Sequence, residues 1–142
     1  MLSLSVILII ASPSEASALP CKGFFARRFV SEMENLPSEI RKDLISKIPD
    51  LVDSGKNFQA TDTVELGKKN GSHHRFLSAY LIKDEWFVSF ESGAPYGVNT
   101  VGYVRLNNGV KYQIWLQHNF NGPPCASIEA ALNGVNSASI FR

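Results

Sequence analysis

The hydrophobic period of this chain changes once, near His73, and that change sets the fold class. Before Gly55 apolar residues recur every three or four positions; from His73 onward they recur every second position. The first spacing builds helices with one apolar stripe, and the second builds strands with one apolar face. Helices followed by a run of strands read as an α+β domain: N-terminal helices packed on a four- to five-stranded antiparallel β-meander, with a short C-terminal helix.

Two helices are expected ahead of the sheet. In 23–36 the apolar residues Phe24, Phe25, Phe29, Val30, Met33 and Leu36 share one helical face, and Pro37 ends the pattern. Ser38 then caps a second helix carrying Ile40, Leu44, Ile48, Leu51 and Val52, with a kink or restart at Pro49 and a stop at Gly55. The phenylalanine cluster reads as core. Thr61–Leu66 has the look of a short edge strand, and 67–71 of a turn.

The meander divides into two hairpins. His73–Ile82 and Trp86–Ser92 form the first, and a three-residue turn Lys83-Asp84-Glu85 pairs Ile82 with Trp86, Tyr80 with Val88 and Ser78 with Phe90. Val101–Leu106 and Val110–Phe120 form the second, through Asn107-Asn108-Gly109. A two-residue Asn-Gly turn competes there with a three-residue loop holding Gly109 in the left-handed region. The latter is preferred because it keeps Val110, Tyr112, Ile114 and Leu116 inward and Lys111, Gln113, Trp115 and Gln117 outward. Ala126–Leu132 closes the domain as a short helix. Helices on one face of such a sheet leave the other partly open for a partner.

The compartment is read from the other end of the chain. Leu2–Ala11 is an apolar run of signal-peptide length, Pro13 breaks it, and Ala16-Ser17-Ala18 offers small residues to a signal peptidase. Residues 1–18 are therefore expected to be a signal peptide cleaved after Ala18, and 19–142 a single domain. No Lys or Arg precedes the run, so the alternative is a buried N-terminal element. Pro20 ahead of Cys21 disfavours lipoprotein processing. No later segment has the length and apolarity of a membrane span. Cys21 and Cys125, at opposite ends of the mature chain and in no Cys-X-X-Cys pair, are expected to form a disulfide, which suits a periplasmic or secreted protein.

With 14 Lys and Arg against 13 Asp and Glu, the chain has no charge excess to attract nucleic acid or a membrane surface. His73-His74 lies on a strand, where neighbours point to opposite faces, so the pair does not chelate one ion, and neither metal nor cofactor is expected. A dispersed set remains. Arg75, Glu91 and His73 share a face in the expected register, with Arg105 and His118 on neighbouring strands. A carboxylate base, an arginine and a histidine acid are sufficient for phosphodiester cleavage, and small secreted ribonucleases also place helices before an antiparallel sheet. That is an analogy of architecture, which does not carry function; the same residues serve equally as solvent-facing strand positions.

Recognition features are the basic stretch from Lys68 and Lys69 to Arg75, and the long link 92–100, whose Tyr96 is an aromatic anchor candidate beside Trp115. Lys68 and Lys69 serve as well to blunt a sheet edge. The leading reading is an exported, non-catalytic binding protein of inhibitor, immunity or cell-envelope accessory type. It would use a sheet face and loop 92–100 against a protein partner. The alternative is a small secreted hydrolase, possibly a ribonuclease acting on nucleic acid through Glu91, Arg75, His73 and His118.

Overall fold

A computed structural model of the chain describes residues 21–22, 24–58, 73–93, 97–107, 109 and 112–135, the side chains of Tyr112 and Trp115 excepted. The expected signal peptide, the strand at 61–66, the turn at 67–71, Lys68, Lys69 and Tyr96 lie outside these residues. Mixed helix and sheet is found, with β1 (Arg28–Val30), α1 (Ser38–Lys47), β2 (Leu51–Val52), β3 (His74–Ile82), β4 (Glu85–Ser92), β5 (Gly97–Asn107), β6 (Tyr112–Asn121) and α2 (Pro124–Leu132). No described helix is long and apolar enough to cross a membrane.

The sheet has six strands rather than four or five. Its path runs β1-β3-β4-β5-β6, antiparallel throughout, and β2 pairs parallel with the start of β3. The meander from β3 to β6 is the expected one; the two extra strands come from segments read as helix. Within 23–36 only a 3₁₀ turn at Met33–Asn35 is helical. Arg28–Val30 instead pairs along the outer edge of β3, Phe29 opposite Tyr80 and Val30 opposite Ala79. Phe29 packs to one side of the sheet and Val30 to the other, so pairing with β3 satisfies a period of two that the helical spacing had masked. The second helix stops at Lys47, and Leu51 and Val52 leave Pro49 in extended conformation to pair with His74 and Arg75.

Both hairpin registers differ from expectation. Ile82 pairs with Glu85, so the first turn is Lys83-Asp84 alone, with Lys83 left-handed at φ 54°. Leu81 then faces Trp86 and Ala79 faces Val88, until an irregularity at Leu77 resets the register and brings Phe76 opposite Phe90. In the second hairpin Asn107 pairs with Tyr112, which leaves a loop at 108–111 in place of either shorter turn. Gly109 is left-handed, at φ 80°, as that loop was expected to require. The link after β4 is short: Ser92 already pairs with Gly97, and Val98, Asn99 and Thr100 are strand rather than loop.

Both sheet faces are covered. On the first, Ile40 and Leu44 of α1 and Ile48 just after it pack against Phe76, Ala79, Val88, Phe90, Val101 and Tyr103, with Ile114 and Leu116 at the margin. On the second, Ile128 and Ala131 of α2, with Phe24, Ala26 and Phe29, pack against Tyr80, Ile82 and Phe87; Phe25, expected in the core with the other two phenylalanines, is instead 83% exposed. The face expected to stay open is thus covered over the first hairpin, whose halves are apolar on both sides. Cys21 and Cys125 are joined, with Cα atoms 5.5 Å apart across a sequence separation of 104. The bridge ties the segment before β1 to the first turn of α2 over the second face.

Candidate functional site

The first face is covered by α1 only in part. Toward the Lys83-Asp84 turn it opens into a cleft of about 530 Å³. Strand register builds its floor. Arg28, Leu81, Trp86 and Tyr103 stand in one cross-strand row, and Arg105 lies two residues beyond Tyr103 on the same face, opposite Ile114. Pro37 and Ile40 at the start of α1 form one wall, and Arg27 and Asp84 stand beside the turn. Trp86 is 9% exposed and Ile40 3%, so the cavity is bounded by buried apolar surface beneath a charged mouth.

The three arginines differ in their commitments. Arg27 donates from Nη1 to the Lys83 carbonyl at 3.3 Å and lies 3.6 Å from the Asp84 carboxylate. Arg105 pairs with Glu39 at 3.0 Å. Arg28 rests with its guanidinium carbon 5.9 Å from the centre of the Trp86 ring and has no carboxylate partner among the described residues. An arginine held over an indole keeps its in-plane N–H donors available for a ligand. Beneath it, the Tyr103 hydroxyl donates to Asp43 at 2.8 Å, and Lys47 bonds the same carboxylate at 2.6 Å. Burial, with the bond to Asp43 and its charge, pushes the Tyr103 hydroxyl far up, so it stays protonated and pins α1 to the sheet.

A second polar arrangement lies on the opposite face. His118 Nδ1–H donates to Glu85 across β5, and both side chains are largely buried, at 16% and 15% exposure. Between them stands Gly102, where a Cβ would come within 2.3 Å of Glu85 Oε1 and 3.1 Å of the His118 Cβ. The His118 ring is stacked between Phe87 and Phe120, with centroids 6.1 and 6.0 Å away. Glu85, read from sequence as a turn residue, is thus a strand residue with a partner. Its available signal was Gly102, since an isolated glycine inside a strand pattern marks a close approach.

The residues singled out as a dispersed catalytic set do not converge. Arg75 and Glu91 do meet, by direct cross-strand pairing: Arg75 Nε donates to Glu91 at 2.6 Å. The same guanidinium donates to the Lys56 carbonyl at 3.3 Å and sits 4.3 Å from the Phe58 ring centre, so it fastens the 53–58 segment to the sheet. His73 contributes its backbone N–H to Asp50 at 2.7 Å, and His74 Nδ1–H donates to the same carboxylate at 2.8 Å. His118 lies four residues along and two strands across from Glu91, roughly 16 Å away by strand geometry. No reacting atom can touch all four. Among the described residues no three His, Cys, Asp or Glu side chains are grouped to hold a metal ion. Trp115 pairs through its backbone with Val104.

The Asp50 cluster carries a pH prediction. Burial alone would raise the Asp50 carboxyl, but the His73 amide and the His74 ring together hold it below its ordinary value. A carboxyl depressed by folding stabilises above its unfolded value, and that stability is lost as pH falls through the folded one. Melting temperatures taken from pH 7 downward should therefore show a loss below about pH 4 that is smaller in Asp50→Asn. Equal slopes in the two proteins would remove the cluster from the acid response.

No protein-family model, curated protein or solved structure matches the chain.

Proposed function

We propose that this chain is an exported, non-catalytic binding protein of inhibitor, immunity or cell-envelope accessory type, and that it receives an anionic part of a protein partner in the arginine-rimmed cleft. The observation that carries this reading is Arg28, an exposed arginine laid over Trp86 at the mouth of a buried apolar cavity. Arginine over an aromatic floor is a recurrent composition of binding hot spots, because the weakly hydrated guanidinium loses little on desolvation and gains fixed hydrogen bonds. Binding is favoured over catalysis by the lining itself. Among the described residues it contains no histidine, cysteine, serine or threonine, and the Tyr103 hydroxyl is engaged by Asp43. Export is supported by the disulfide and by the leader expected over residues 1–18.

On this reading the cleft, rather than an open sheet face with loop 92–100, is the binding surface. A partner isolated from the envelope of the producing cell should bind Arg28→Ala about thirtyfold more weakly than wild type, the loss of a central anchor. Lys83→Ala, at an exposed turn position outside the lining, should bind as wild type does. Unchanged affinity for Arg28→Ala together with a loss for Tyr96→Ala would return recognition to the loop and overturn the cleft.

A further inference from the structure

The charge and shape of the cleft specify its ligand more narrowly, and we infer that it takes a single carboxylate borne on an apolar residue, as at the C-terminus of a polypeptide partner. This rests on the cleft being the binding site. Of the cations among the described residues around it, Arg27 is turned to Asp84 and Arg105 to Glu39, which leaves Arg28 to carry one negative charge. A phosphate monoester would bring close to two charges, and a nucleic-acid strand a further charge on each neighbouring phosphate, toward a mouth already holding the Asp84 carboxylate. A carboxylate matches both the charge and the two-pronged N–H geometry of guanidinium.

The cavity is far larger than a carboxylate. At about 530 Å³ it lies in the size range of small-ligand sites, and its apolar side chains on this face are Ile40, Leu81, Trp86 and Ile114. A bare anion would leave that surface wet, whereas an apolar side chain beside the carboxylate fills it. The mouth favours a chain end over a free acid. Asp84 and Arg27 are exposed on their side chains, at 98% and 60%, and flank the way out. Their exposed ion pair is weak in water and can open to the C=O and N–H groups of a departing peptide without changing the net charge of the mouth, and a free aryl acid has no counterpart for them.

The test is calorimetric titration of the full mature protein with four probes: a hexapeptide ending in Leu-Phe with a free carboxylate, the same peptide as its C-terminal amide, phenylpropionate and phenyl phosphate. The free-acid peptide should bind at least about tenfold more tightly than each of the others. Arg28→Ala should bring acid and amide to equal affinity, and Arg28→Lys should restore only part of the difference. Acid and amide binding equally to wild type, both weakened by Arg28→Ala, would overturn the carboxylate and leave the cleft reading standing. Phenylpropionate binding as tightly as the peptide would overturn the polypeptide source, and tighter phenyl phosphate would overturn the monovalent charge. If no probe binds while the envelope partner still requires Arg28, the ligand class falls alone. If neither depends on Arg28, both fall.

Discussion

Replacing Cys21 and Cys125 together by serine should lower the unfolding free energy by roughly 2–5 kcal/mol. The bridge closes a sequence separation of 104 residues, and loop-closure entropy alone assigns a span of that order about 4.7 kcal/mol. The native contacts around it work in the same direction. The Cys21 amide donates to the Tyr80 hydroxyl at 3.3 Å, and Phe24 stacks edge-on against the Tyr80 ring. On the other side of the bridge, Ile128 and Ala131 cover Phe87. Without the bond, the segment before β1 and the first turn of α2 part independently, and the second face loses the strap that holds both layers. Denaturant unfolding of the double variant against oxidised wild type measures the effect. A loss below about 1 kcal/mol would mean that packing alone holds the strap.

Gly102→Ala should be destabilising where a strand Gly→Ala change is ordinarily favourable. With no clash, added β propensity and reduced unfolded-state freedom contribute about 0.4–1 kcal/mol. Here the new methyl occupies the path by which Glu85 reaches His118, 2.3 Å from its Oε1. The carboxylate is the flexible end of a long side chain and swings away, so the cost is the broken pair rather than a displaced backbone. Breaking a fully buried pair costs about 3–5 kcal/mol. These two groups retain 15–16% exposure and regain some water, which brings the expected loss to about 1–3 kcal/mol. The cost should shrink in a Glu85→Ala background, where the His118 Cβ, at 3.1 Å, is the close neighbour that remains. A double-mutant cycle on unfolding free energies reads the coupling; additive changes would dissociate Gly102 from the pair.

The parts of the fold legible in the sequence are those set by local periodicity. Strands β3, β4 and β6, α1 and α2 follow from period and punctuation, and the disulfide from the position of two cysteines. What was hidden depends on distant pairing. Phe29 and Val30 sit in a spacing that suits a helix face as well as a strand, and the edge of β3 decides between them. Register was the second loss. The Lys83-Asp84 turn needs Lys83 in a left-handed conformation that the residue type does not advertise. One residue of slip at the turn exchanges the faces beside it, and the irregularity at Leu77 adds a second residue, which together move Arg75 from a diagonal neighbour of Glu91 to its direct partner. The cleft was invisible for the same reason: Arg28, Trp86 and Arg105 come from three strands, and only the correct register lines them up. Of the sequence candidates, Arg75 and Glu91 met as a structural clamp, while Glu85 was announced only by Gly102.

Hydrogen–deuterium exchange of the protein, free and bound to the partner proposed above, tests the central claim most directly. If the cleft is the binding surface, protection on binding should concentrate in peptides covering 27–30, 81–86 and 103–106, the stretches that carry Arg28, Trp86 and Arg105. Peptides over 73–75 and 91–98 should exchange alike in the two states. Protection confined to 91–98, with the cleft strands unchanged, would contradict the account and place recognition on the link between β4 and β5.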